Sequence, residues 1–362
     1  MAQAQTRPSR LGIGALIVAL VGLVVLTFLP TPYVIQRPGP VYDTLGSVRS
    51  GDEDVALIQI EDAETYPTDG SLSLTTVEVV GNRERTPSWF ELAMAWIDPS
   101  RAIVPIDQVF PEGVSTEDRN EQNAQLMDES QNEARAAALR ELGYEVPAEV
   151  EVLGLVDGSP AAGLLAAGDV LLAVEGTPLS STTNLRAQIQ EHGGEPVRLT
   201  LVRDGAPREV TVTPAQTTHN GVTTWVIGTY VTTHYTFPVD VAIQLDNVGG
   251  PSAGMMFALG IIDQLTPGYL GGGEQIAGTG TIDSEGVVGA IGGIRQKLYG
   301  ARDAGAEYFL APASNCDMVT GHVPDGLHVV AVQTLAEALA ALDVIAVGGD
   351  IQGLASCSSV TP

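Results

Sequence analysis

The stretch NVGGPSAGMMFALGIIDQL, residues 247–265, constrains the fold more than any other part of this chain. It reads as a strand, a glycine turn and then a helix, with Pro251 suited to the first helical turn. From Met255 to Ile262 the helix is almost wholly apolar. A helix with no polar face has nothing to offer water, so it must be buried and rigid. Strands are available to cover it. VALIQIED (55–62) and GSLSLTTVEVV (70–80) are rich in β-branched residues and partly alternate. In VDVAIQL (239–245), Val239, Val241, Ile243 and Leu245 alternate with Asp240, Ala242 and Gln244, so one face is buried. The expectation is an α+β fold.

Between these segments the pattern changes. PSWFELAMAWID (87–98) reads as a short apolar helix with Ser88 as N-cap. The acidic stretch 111–130 reads as an exposed loop running into a helix over 130–143, ended by Gly143. Residues 149–214 read as a separate module. Its order is strand, GSPA turn, short helix, GDVLLAVEG strand, helix, then a hairpin across RDGAPRE. TTWVIGTYV (223–231) is a further strand.

The N-terminus holds an uncharged run of 19 residues, Leu11–Leu29. At 1.5 Å per residue it nearly spans a bilayer core of about 30 Å. Arg7 and Arg10 precede it, which places the N-terminus in the cytoplasm and the rest outside. A cleaved signal peptide would have a shorter apolar region and a small-residue site, and TFLPTPYV supplies neither. A net charge of −27 argues against a nucleic-acid partner, whose phosphates it would repel. The two cysteines, Cys316 and Cys357, both follow the apolar run. Their even count in a disulfide-permissive compartment predicts a bond between them. They lack metal-ligand spacing and the five histidines are scattered, so no metal or other cofactor is expected.

One lysine stands among the 17 basic residues: Lys297, in IGGIRQKLYGARDAG. Arginine keeps its proton in any protein setting, whereas a buried lysine can lose it and serve as a base. Lys297 flanks the apolar stripe Ile294, Leu298, Ala301 and is therefore half-turned to the interior. Ser252 lies near the start of the apolar helix, where unpaired backbone N–H groups could hold an oxyanion. Gly249 and Gly250 would let a substrate backbone approach. Taken alone, Ser252 serves equally well as a helix cap.

GPSAG followed by GAIGGIRQKLYGARDAGAEYFLAP resembles the Lon-type serine/lysine protease domain. GSLSLTTVEV…QLMDESQNEARAAALRELG resembles the first half of that domain. SPAAG…AGDVLLAVEGTPL is similar to a bacterial PDZ domain. Together with an anchor, the arrangement resembles the membrane-anchored, ATPase-free YlbL-like family. The resemblance implies a cytoplasmic N-terminus (1–10), a transmembrane helix (11–30) and a protease domain split into 31–148 and 215–345. A PDZ insert would occupy 149–214 and a tail 346–362. It implies Ser252 as nucleophile, Lys297 as general base and Thr279 as the threonine bonded to the lysine. Gly249, Gly250 and Ala253 would form the oxyanion and substrate loop, and Leu153, Gly154 and Leu155 the PDZ carboxylate loop. Cytoplasmic relatives usually have Asp where Gly249 stands.

The expectation is a single-pass, extracytoplasmic, ATP-independent serine endopeptidase acting on protein or peptide substrates, with homo-oligomerisation left open. With one lysine outside any such motif, no Walker sequence exists in this chain. The alternatives are a catalytically inactive tether or adaptor, and a component that borrows an unfoldase from another chain.

Overall fold

Proline spacing shapes the first strand. The computed structural model describes residues 29–357 except 52, 220–221 and 246–247, with residues 14, 17, 18, 20–22 and 26 of the N-terminal run. Eleven of the twenty residues of the expected membrane span at 11–30 thus fall outside the described residues. Among those described, no helix is long and apolar enough to cross a membrane.

Tyr33–Asp43 (β1) pairs antiparallel with Ser71–Val80 (β2) and with Ala102–Pro105 (β3). Its register against β2 shifts between Pro38 and Val41, where Pro38 and Pro40 have no N–H to give. Between β2 and β3 lies Trp89–Ile97 (α1). It starts with a capping box: Glu91 N–H donates to Ser88 Oγ, and Ser88 N–H donates to the Glu91 carboxylate. Ile106–Val109 (α2) is a single turn. Thr116–Glu141 (α3) then fills most of the region expected to be a loop. Ser115 and Asp118 form a second capping box, and that cap starts the helix well before its apolar positions begin.

The next strands build a sheet of their own. Ala148–Leu155 (β4), Val170–Val174 (β5), Val197–Arg203 (β6), Ala206–Val212 (β7) and Thr229–Tyr235 (β8) take the order β7-β6-β5-β4-β8. Thr182–His192 (α4) packs on it through Leu185 and Ile189, closing a core that includes Val150, Leu171, Leu199 and Val212. The module therefore extends past residue 214, because β8 supplies its last strand. Tyr235 is paired with Ala148, so the module leaves the chain and rejoins it at neighbouring points. That geometry lets it sit as an insertion in another unit. The short helix expected after GSPA is a series of turns, since Gly158, Gly163 and Gly168 all have positive φ. The strand expected over 223–231 is broken at Gly228, also at positive φ.

After the module come Gly254–Leu265 (α5), Gln275–Gly278 (β9), Ile294–Asp303 (α6), Tyr308–Pro312 (β10), Cys316–Val319 (α7), His328–Val332 (β11) and Leu335–Ala346 (α8). The outer sheet runs β11-β10-β9-β2-β1-β3. β9 pairs parallel with β2, which lies before the module, so segments on both sides of the insertion make one sheet. Leu72, Leu74, Ile276, Leu310 and Val330 pack on one face with α3, α5 and α8. Ala277, Phe309 and Ala311 pack on the other with α6. The result is three layers, helix–sheet–helix. α5 lies within them as its sequence requires: Met255, Met256, Phe257, Leu259 and Ile261 are all 0% exposed.

Candidate active site

β9 ends at Gly278, and the two helices on opposite faces of the sheet meet just beyond it. α5 begins there on one side and α6 passes on the other. Clefts outside the carboxyl ends of parallel strands are common ligand sites, because chain segments diverge there and leave backbone groups exposed.

Ser252 lies in the turn before α5, whose N-cap is Ala253, so it precedes the helix instead of capping it. The turn is clamped from two sides. Ser130 Oγ of α3 donates to the Pro251 carbonyl at 3.0 Å. The Ser252 carbonyl accepts from Thr279 Oγ1 and from Gly280 N–H, both at 2.9 Å. The Ser252 backbone is thus tied to the end of β9, and its side chain turns toward α6.

Lys297 meets it there. Its Nζ lies 2.7 Å from Ser252 Oγ and 2.8 Å from Thr279 Oγ1. Lys297 is 2% exposed, more deeply buried than its place beside the apolar stripe implied. Thr279 is 0% exposed. Burial pushes the Lys297 amine down to about 7 from an ordinary 10.5. Among the described residues no carboxylate forms an ion pair with it. The Thr279 proton goes to the Ser252 carbonyl, so Thr279 Oγ1 faces the lysine as an acceptor. A neutral amine that gives one N–H to Thr279 keeps its lone pair for the serine hydroxyl.

α6 reaches this position because of Gly293, its N-cap, at φ +67°. A Cβ there would come within 2.7 Å of the Val77 side chain on β2. Glycine lets the helix start hard against the sheet and brings Lys297, one turn on, over Thr279.

The oxyanion loop expected from sequence divides. Gly250 N–H donates to the Asn123 carbonyl of α3 at 2.9 Å, so that amide is committed away from Ser252. Gly249 lies against α3 as well. A Cβ on it would stand 2.7 Å from Asn123 Cβ. Glycine at this position follows from this close approach, because α3 occupies the space a side chain would need. Ala253 begins α5, whose first backbone N–H groups have no acceptor within the helix. Ser252 and Lys297 open into a cavity of about 610 Å³, walled by Thr75, Val77, Gly249 and Met127 among others.

Leu153, Gly154 and Leu155 lie on β4, outside the lining of the groove beside β8. Gly154 and Leu155 pair there with Tyr230 and Thr229 of β8, and the pairing of β4 with β5 covers Val150 and Glu151. The open edge belongs to β8. A groove of about 590 Å³ runs between it and α4, lined by Leu185, Ile189, Ile227, Gly228, Thr229 and Val231. Sequence reading missed this because the loop and strand concerned follow the module's hairpin instead of opening the module. Ser130 was also missed, since a serine in a polar acidic stretch carries no local mark of its contact with Pro251.

Residues 231–344 match the family model described as the Lon protease (S16) C-terminal proteolytic domain, and residues 151–203 match that of the PDZ domain. The chain carries a Lon-type proteolytic domain and a PDZ domain. The proteolytic domain is similar to Lon protease 2 of Bacillus subtilis (strain 168), 32% identical over 106 residues, 29% of this chain and 18% of the relative. Lon protease 1 of Sorangium cellulosum is 39% identical over 94 residues, 25% of this chain and 11% of the relative. The zinc metalloprotease RasP of Geobacillus kaustophilus is 36% identical over 90 residues, 24% of this chain and 21% of that protein. The chain thus spans about a fifth or less of the length of these curated relatives. Cys316 of α7 and Cys357 of the C-terminal tail are bonded to each other, holding the tail against α7.

Proposed function

We propose that this chain is a membrane-anchored, extracytoplasmic serine endopeptidase that works without ATP. Ser252 is its nucleophile and Lys297 its general base. The observation that carries this reading is the sole lysine, buried, held down to about 7 and 2.7 Å from a serine oxygen. Neutral Lys297 takes the Ser252 proton as Oγ attacks the scissile carbonyl. The ammonium then gives that proton to the departing amine, leaving an acyl-enzyme. Neutral again, Lys297 takes a proton from water, whose oxygen attacks the ester, and returns it to Ser252 as the acid product leaves. Thr279 orients the amine throughout. Backbone N–H groups of the turn at the start of α5 hold the oxyanion.

The anchor is the run 11–29 and the substrates are proteins or peptides, selected by the PDZ domain through the groove beside β8. ATP independence is supported by the lack of a Walker sequence in these 362 residues and by a proposed topology that separates the site from cytosolic ATPases. The test is labelling by a fluorophosphonate probe together with peptide cleavage. Wild type is expected to label at Ser252 and cleave. A wild-type protein that does neither would leave the chain as a tether or adaptor.

A further inference from the structure

Only Leu92 and Ala95 of the nine-residue α1 are buried, seated with Ile35, Val80 and Ile103. Trp89, Phe90, Met94, Trp96 and Ile97 all stand exposed, Trp96 at 82%. The one charge in the helix, Glu91, is folded back on Ser88. A helix on a solvated surface normally turns polar residues outward. This one offers two of the chain's three tryptophans.

The end of the N-terminal run says what covers it. Pro30 forms a β-bridge with Ser88, the N-cap of α1. Thr31 N–H donates to Thr86 Oγ1, and Thr31 Oγ1 donates to the Pro87 carbonyl. The uncharged run 11–29 therefore ends stitched to the start of α1. The local charge also fits. Across residues 82–107, Arg83, Arg85 and Arg101 face Glu84, Glu91, Asp98 and Asp107, a near balance within a chain of net −27. Tryptophan favours the headgroup region, where its ring is half solvated and its N–H finds partners. A short helix with an apolar outer face lies in that plane.

We propose that α1 is a membrane-interface helix, its Trp89, Phe90, Met94, Trp96 and Ile97 seated among the headgroups of the bilayer that residues 11–29 cross. The proposal rests on the anchor reading above. It gives the protease a set height over the membrane. Arg295, two residues before Lys297, donates to the Pro99 carbonyl just past α1, so the helix carrying the base is tied to the same surface.

The test uses the full chain in phosphatidylcholine vesicles, with and without brominated acyl chains, whose bromine quenches indoles at the bilayer. Trp225→Phe leaves Trp89 and Trp96 as the emitters. The double variant Trp89→Phe/Trp96→Phe leaves Trp225 as the internal control. The first is expected to show blue-shifted emission and a loss of intensity in brominated vesicles, and the second no change. Wild type gives a second readout, a quenched fraction that disappears in the double variant. A chain that floats with the vesicles while Trp89 and Trp96 stay unquenched would overturn the proposal and leave the anchor standing. Unquenched, blue-shifted emission with a mass that grows with protein concentration would assign α1 to a second copy of the chain. Failure to float would remove the anchor reading and this proposal with it.

Discussion

Lys297 and Glu133 flank the same turn and are both nearly water-free, yet they make opposite use of burial. Lys297 approaches Ser252 from α6. Glu133 lies on α3 one turn beyond Ser130, which holds the Pro251 carbonyl. Lys297 is 2% exposed and Glu133 3%. Burial pushes the lysine down to about 7 and the carboxyl up to about 7, each toward its neutral form. The difference is in what surrounds them. Lys297 has two hydroxyls and an open cavity, so its lone pair can act on a substrate. Glu133 accepts from Tyr235 Oη at 3.0 Å and has the acidic neighbours Asp283 and Glu129, which raise it further. Burial makes a group neutral, and since Glu133 also borders a cavity, of about 350 Å³, it is the serine hydroxyl within reach of its lone pair that makes Lys297 a base.

The comparison breaks most directly through activity. Ser252→Ala and Lys297→Arg should each lower peptide cleavage by roughly 10⁴-fold or more, and the double variant should be no worse, because the two act as one unit. Arginine keeps the charge but cannot release a proton. Glu133→Gln should cleave at a rate close to wild type. In wild type, cleavage should rise with pH through about 7 as Lys297 loses its proton. A flat profile across that range, or an active arginine variant, would end the role assigned to Lys297.

Stability should separate the two groups by the sign of their pH dependence. Lys297 sits below its ordinary 10.5, so the unfolded chain binds the extra proton between about 7 and 10.5. Its contribution is full above 10.5 and is lost as pH falls to about 7, on the order of 5 kcal/mol over the window. Glu133 sits above its ordinary 4.5, so the folded chain binds the extra proton between 4.5 and about 7. Its contribution is full below 4.5 and is lost as pH rises to about 7, on the order of 3 kcal/mol. Urea unfolding from pH 4.5 to 10 should show Lys297→Met removing the alkaline rise and Glu133→Gln removing the acid-side fall. The same slopes in wild type and variant would refute either assignment.

Smaller effects sharpen the picture. Thr279→Val removes the acceptor that orients the lysine and should cost about tenfold or more in kcat with little change in KM. Ser130→Ala removes one buried hydrogen bond to the Pro251 carbonyl and should cost about 1 kcal/mol of stability in the same unfolding assay. If Ser130→Ala lowered cleavage as far as Thr279→Val, the two sides of the turn would matter alike, and the contrast between them would fail.

Much of this was legible in one dimension. The apolar run Met255–Ile262 required a buried helix, and a lone lysine in an arginine chain marked a position where arginine would not serve. Turn residues delimited most of the module, because glycine at positive φ and capping boxes act over a few residues. The first half of the helix over Thr116–Glu141 went unread from its polar surface, although Ser115 and Asp118 announced its start, and only the part from residue 130 was expected. What tertiary structure alone decided lies between segments far apart in the chain. Ser130 reaches Pro251 across 121 residues, and the module closes with a strand beyond its expected end. Asn123 against Gly249 accounts for a glycine there, and Pro30 against Ser88 places α1 beside the N-terminal run. Local propensity and periodicity are properties of neighbouring residues, so sequence carries them openly. Full burial of Lys297, and with it the fall of its pKa to about 7, depends on how three layers close around it, and that exists only once the chain has folded.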